Sequence, residues 1–214
     1  MKTLLIIIQT IKYKLNLDRK SYILKYIRRN KPKTILEIGV FNGASAKRML
    51  LNATKYVNDK IEYTGVDLFE DLTSEVYKKE ISLRAPKKDS VYEDLSKIKN
   101  TKIILFKGYS SDLLPLLEGK AKFDLILIDG GHSYKTVKSD FNFAKKLINT
   151  NGAIFFDDYV NKQGVINDGF GVNKVVDDIN RAEYSVKISK NRDFFPKSYG
   201  LLLTRMVKVQ LKNN

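Results

Sequence analysis

The chain has 214 residues, 39 of them Lys or Arg and 24 Asp or Glu, with one histidine, no cysteine and no tryptophan, for a formal net charge of +15. The absence of cysteine excludes a disulfide framework, a thiolate nucleophile and Cys-ligated zinc or iron–sulfur sites, and a single histidine excludes a multi-His metal centre. A hydrophobic fraction of 43% at this length suits one domain with a full core.

The charge is unevenly placed. Residues 1–33 carry ten basic groups against Asp18, and residues 187–214 carry seven against Asp193, which leaves 22 basic and 22 acidic groups in residues 34–186. Two basic ends therefore flank a neutral middle. Such ends are either solvated lysine-rich faces or a docking surface for phosphate, a polyanion or an anionic membrane. The longest apolar run, residues 4–8, falls far short of the ~20 residues of a spanning helix. The start, MKTLLIIIQTIKYK, imitates a signal peptide only as far as Gln9, and no small-residue cleavage site follows. The expectation is a soluble, cytoplasmic protein, with peripheral membrane contact through the basic termini as the alternative.

Asp18 is placed to cap a helix over 19–29, because a carboxylate there accepts free backbone N–H groups. Tyr22, Ile23, Tyr26 and Ile27 give that helix an apolar stripe, and Pro32 ends it. Strand-like apolar runs follow at 34–40, 61–68, 102–107, 123–129 and 152–157, with two late ones at 184–188 and 199–209. Between them the pattern predicts helices over 44–55, within the charged stretch 71–98, from 111, over 133–148 and over 173–181. Short apolar strands alternating with helices predict a parallel sheet covered on both faces. In such a sheet, ligands bind at the carboxyl ends of the strands.

The unusual polar residues lie at those ends. After the first strand comes Glu37-Ile-Gly39-Val-Phe-Asn42-Gly43, an acid followed by a turn whose glycines let backbone approach a ligand. Asp67 ends the second strand, where doubly wound folds hold a ribose diol. It lies 30 residues beyond Glu37, and GxGxxG is absent; both departures argue against NAD. Ser110 and Ser111 follow the third strand, Asp129-Gly-Gly-His132 the fourth, and Asp157-Asp158 the fifth. Three carboxylates at two neighbouring strand ends require a cation, a shared proton or solvent. Oxygen ligands select Mg²⁺, Mn²⁺ or Ca²⁺ over zinc. The alternative is that these acids merely cap the helices that follow. His132, among glycines and a carboxylate, is the candidate general base, and Lys135 is the competing one if desolvation lowers its pKa.

The segments ILEIGVFNGAS, YTGVDLF, KGYSSDLLP, FDLILIDGGHSY and NGAIFFDDY resemble the class I S-adenosylmethionine (SAM)-dependent methyltransferases. Within these they look most like the metal-dependent sugar O-methyltransferases of macrolide biosynthesis, in the catechol O-methyltransferase-like superfamily. The resemblance implies a Rossmann-like α/β fold: a doubly wound, seven-stranded sheet, mostly parallel, with an antiparallel last strand. It divides the chain into a basic N-terminal segment, 1–17, and a methyltransferase domain, 18–214.

The resemblance also implies roles. Glu37, Gly39, Asn42 and Gly43 would hold the methionine part of SAM, Asp67 the ribose, and Ser110 and Ser111 the adenine. Asp129, Asp157 and Asp158 would bind the metal, with Asp129 also at the cofactor, and His132 would be the base. The reaction implied is methylation of a hydroxyl on a sugar, glycan or small glycoside. A nucleic-acid methyltransferase is the alternative suggested by the charge, but no Asn-Pro-Pro-Tyr/Phe type of motif follows the fourth strand. A third reading is a non-catalytic SAM-fold protein on a membrane surface. The unmatched N-terminus is a candidate interface for a homo-oligomer.

Overall fold

The computed structural model describes residues 2–15, 17–80, 86–160, 171–197 and 200–212. Residues 81–85 of the charged stretch, and Tyr199 at the start of the last expected strand, lie outside them. Strands β1 (Thr34–Ile38), β2 (Ile61–Asp67), β3 (Thr101–Lys107), β4 (Phe123–Ile128) and β5 (Ile148–Val160) are parallel to one another. Strands β6 (Tyr184–Ile188), β7 (Asp193–Lys197) and β8 (Gly200–Leu211) complete one sheet in the order β3-β2-β1-β4-β5-β8-β6, with β7 attached to β8. β8 is antiparallel to β5, β6 and β7. The expected seven-stranded path is therefore present, and β7 is an eighth strand that the charged, proline-containing 193–197 run did not announce.

Period-two alternation assigns each strand residue to one of two cores. Ile35, Leu125, Leu127 and Phe155 face one side, with Ile23 and Ile27 of α2 (Ser21–Asn30), Met49 and Leu50 of α3 (Ala44–Ala53), and Val91 and Leu95 of α5 (Lys88–Ser96). Leu36, Ile126 and Phe156 face the other, with Val137, Phe141 and Ala144 of α7 (Tyr134–Leu147) and Val175 and Val176 of α8 (Gly171–Asp177). Because both faces are covered, the strands read as near-continuous apolar runs. The remaining helices are α1 (Lys2–Lys14), α4 (Ser74–Glu80) and the single turn α6 (Ser110–Leu113).

Asp18 does not cap α2. The helix begins at Ser21 with no side-chain cap, and the Asp18 carboxylate instead meets Arg48 of α3, with Nη2 to Oδ1 at 2.7 Å. A guanidinium competes for a buried carboxylate better than neutral N–H groups do. This frees residues 19 and 20 to turn toward the sheet edge.

The basic ends meet in space. Lys12 lies over the Phe194 ring, 4.9 Å from its centroid, and 3.6 Å from Asp193. Burial, then Lys187 and Arg29, lower the pKa of Lys208, so the two ends also crowd each other on the α2 side. No helix among the described residues is long and apolar enough to cross a membrane.

Phe155 is fully buried, with Tyr26 edge-on at 5.3 Å and Tyr22 at 5.9 Å between centroids. Replacing it by alanine removes these contacts and leaves a cavity, at a cost of about 3–5 kcal/mol. Urea denaturation of Phe155→Ala should show this loss with an unchanged slope.

Candidate functional site

Strand register places the site. Phe106, Val66, Ile38, Ile128 and Phe156 stand side by side across β3, β2, β1, β4 and β5. The residues that follow them, Lys107, Asp67, Gly39, Asp129 and Asp157, therefore form one carboxyl edge. This is where the polar strand-end residues were expected, and the topology brings them together.

On the β1–β2 half, Gly39 has φ +90°, and a Cβ there would overlap the Asp129 carbonyl and Gly130. Only glycine lets the turn pass this close to β4. Gly43, at φ +74°, opens α3, and Asn42 Oδ1 accepts from Ala44 N at 3.1 Å. Asp67 Oδ2 accepts from Val40 N (2.7 Å) and Phe41 N (2.9 Å), and Oδ1 from Phe69 N (2.6 Å), so this acid shapes the glycine turn from the neighbouring strand. Glu37 is completely buried and accepts from the Tyr63 hydroxyl, while its Oε1 has no partner. Burial pushes its pKa up to about 8, against the Tyr63 bond and the charge of Lys20. Ser110 is half-buried and Ser111 exposed, both at the start of α6 beyond β3.

On the β4–β5 half, Asp129, Asp157 and Asp158 offer oxygens within 4.8 Å of one another. Consecutive strand residues normally point to opposite faces. Here the β5–β8 register shifts between Phe156 and Tyr159, and Asp158 adopts φ +56°. The bulge turns both acids toward the same site.

Two cations that the sequence reading did not place complete the cluster. Lys20 Nζ lies 2.7 Å from Asp129 Oδ2 and 3.2 Å from Asp157 Oδ2, and also bonds the Ser45 hydroxyl. Arg19 donates through Nε to Asp157 Oδ1, and through Nη2 to Asp157 Oδ2 (3.0 Å) and Asp158 Oδ1 (3.1 Å). Asp193 of β7 grips the same guanidinium from the far side at 3.1 Å. The only sequence signal was the unbroken Asp18-Arg19-Lys20 run between an exposed segment and a buried helix. Burial raises the pKa of Asp157, but Arg19 and Lys20 outweigh it and hold this carboxyl below its usual range. Asp129 goes the other way, to about 7: burial and the other two carboxylates push it up against Lys20.

His132 joins the cluster and Lys135 does not. His132 Nδ1 is 2.7 Å from the Glu80 carbonyl oxygen, and Nε2 is 3.1 Å from Asp158 Oδ2. A carbonyl and a carboxylate both only accept, so both ring nitrogens carry protons and the resting group is an imidazolium. Burial lowers its pKa, but the Asp158 bond and charge, with the Glu80 carbonyl and Asp129, win and raise it to about 9. Glu80 also accepts from Ser133 N (2.8 Å) and Thr136 Oγ1 (2.8 Å), which ties α4 to the start of α7. Lys135 is exposed, on the outer side of α7 beside Lys138, Asn142 and Lys146.

The His132 pKa lies above its ordinary 6.5 in the folded chain. Its contribution to stability is therefore complete below about pH 6.5 and lost as pH rises through about 9. Thermal unfolding of the wild type and of His132→Gln should show a gap that narrows over that range.

The "Methyltransferase domain" family profile matches residues 36–159, which spans all five strand-end residues described above and leaves out Arg19 and Lys20. An uncharacterized protein of Acanthamoeba polyphaga mimivirus is 31% identical over 155 residues, covering 71% of this chain and 63% of that protein. The chain thus spans less than two thirds of this relative's length. The O-methyltransferase TomG from Streptomyces achromogenes, solved with SAM, shares the fold with a TM-score of 0.61 at 16% identity, covering 91% of this chain and 79% of that one. An O-methyltransferase from Bacillus cereus, solved with SAH, gives 0.61 at 16% identity over 97% and 90%. The profile match, the strand order with its antiparallel ending and the glycine turn agree: this chain belongs to the methyltransferase-domain family and has the class I SAM-dependent methyltransferase fold.

Proposed function

We propose that the chain is a SAM-dependent O-methyltransferase that methylates a hydroxyl of a sugar or glycan, with His132 receiving the hydroxyl proton. The observation that carries this reading is the single carboxyl edge on which Gly39, Asp67, Asp129 and Asp157 stand in register. One half offers a glycine turn and a ribose-type carboxylate, the other a histidine among acids. Solved proteins of this fold that are O-methyltransferases support oxygen as the acceptor atom.

The residues on the first half fit SAM. Asp67 is half-exposed, and its Oδ1 keeps one lone pair beyond the three N–H groups the carboxylate already accepts. It would hold the ribose hydroxyls, with Ser110 and Ser111 along the adenine. Gly39, Asn42 and Gly43 would shape the bed of the methionine part, with the buried Glu37 fixing the turn from below. When bound, SAM supplies an electrophilic methyl group on a sulfonium.

Methyl transfer needs the acceptor oxygen held in line and relieved of its proton. His132 does this in its neutral form, so turnover rises with pH toward about 9 and levels above. Asp158 fixes the ring and stabilises the imidazolium after the proton arrives. The basic ends, with Ile7, Ile11 and Leu15 exposed on and beyond α1, would draw a phosphate-bearing or membrane-linked acceptor.

A divalent ion such as Mg²⁺ would supply alkoxide stabilisation at such a site. The three carboxylates have the right chemistry for it, but their oxygens do not fit it as they stand. Both oxygens of Asp157 and of Asp158, and Oδ2 of Asp129, face the positive groups Arg19, Lys20 and His132, whose charges repel a divalent ion. The proposed reaction therefore has no step through a metal.

Incubation with methyl-tritiated SAM and a panel of glycosides and nucleotide-linked sugars should place label on an acceptor hydroxyl. His132→Asn should lower turnover by about 10²-fold and flatten its rise with pH. Failure to bind SAM in calorimetry, or label passing to nucleic acid and to no hydroxyl compound, would contradict the proposal.

A further inference from the structure

Where a divalent ion would sit among Asp129, Asp157 and Asp158, the chain places its own cations. Lys20 Nζ bridges Asp129 and Asp157, and the Arg19 guanidinium bridges Asp157 and Asp158. Neither side chain reaches the cluster as a stray surface group. Their side chains are only 22% and 11% exposed. The tripeptide that carries them is fixed from several directions. Asp18 pairs with Arg48 of α3, Lys20 also bonds Ser45 of α3, and Arg19 is held by Asp193 of β7 through both its backbone N–H (3.3 Å) and Nη1 (3.1 Å). Asn191 adds a bond to the Ser21 hydroxyl at 2.7 Å.

The charge arithmetic agrees with the geometry. Three clustered carboxylates left alone would repel one another strongly and recruit a cation. With Arg19, Lys20 and the His132 imidazolium, the cluster already has a positive group for each carboxylate. A divalent ion entering it would have to expel Lys20 from two carboxylates and break the Arg19 fork, leaving two largely buried cations without those partners.

We infer that Arg19 and Lys20 replace the divalent ion in this chain, so that the triad binds no metal. The ion test below stands on the geometry alone; only the turnover test rests on the methyltransferase reading above, and loss of SAM binding would remove the turnover test while leaving the ion test intact.

The test is Mn²⁺ titration of the full chain, followed by electron paramagnetic resonance of the free ion. The wild type should leave the free-ion signal unchanged. Lys20→Ala uncovers Asp129 and Asp157 and should bind one Mn²⁺ at least about ten-fold more tightly, with a Tm that rises on adding Mn²⁺. If that variant does not fold, Lys20→Gln, which keeps most of the side-chain volume, replaces it. Stoichiometric uptake by the wild type that Asp129→Asn abolishes would overturn the inference, and so would a folded Lys20 variant that still takes up no ion. Once an acceptor is known, turnover should stay within about two-fold in EDTA. Loss of turnover in EDTA that Mg²⁺ restores would also overturn it.

Discussion

Three carboxylates held together at the edge of a sheet must be compensated, and much of this molecule is arranged around that requirement. Asp129 and Asp157 are there because they follow the register partners Ile128 of β4 and Phe156 of β5. Asp158 joins them because a bulge in β5 turns it inward. The compensation comes from Arg19 and Lys20, two residues that precede the first core helix. Holding them there takes the Asp18–Arg48 pair, the contact with Ser45 and the clasp by Asp193. The entry to α2, the start of α3 and the added strand β7 are thus all bound to one electrostatic constraint. A buried ion pair of this kind contributes little net stability, but removing one partner is costly.

The two halves of the site obey different physics. On the β1–β2 side the backbone matters most. Gly39 must lack a side chain for the turn to pass Asp129, and Asp67 organises that turn by accepting two of its N–H groups, those of Val40 and Phe41. On the β4–β5 side charge matters most, with Asp157 held low and His132 held high by the groups around them.

The sheet was legible because its strands are short apolar runs and its helices carry stripes such as Tyr22, Ile23, Tyr26 and Ile27. Patterns with a period of two or near four survive in a sequence without any knowledge of contacts. The strand-end residues were legible for the same reason: topology alone sends them to one edge. What sequence could not give was pairing at long range. Asp18 has the spacing of a helix cap, yet Arg48, thirty residues away, claims its carboxylate. Arg19 and Lys20 read as part of a basic end, although their partners lie more than a hundred residues further along the chain. His132 read as a free base, because nothing in its neighbourhood along the chain reveals that the Glu80 carbonyl and Asp158 would fill both its nitrogens. The apparent division of charge changes meaning accordingly. The neutral middle and the basic N-terminal end are not separate electrostatic units, since the middle's most acidic cluster draws its counter-charge from that end.

The most direct measurement is a diffraction experiment on crystals grown with SAM-derived product and MnCl₂, with data collected at the manganese edge. SAH should lie over the Gly39 turn, with Lys20 Nζ seated between Asp129 and Asp157 and no anomalous peak among the three carboxylates. A manganese peak at that position, with Lys20 and Arg19 turned away, would contradict that arrangement.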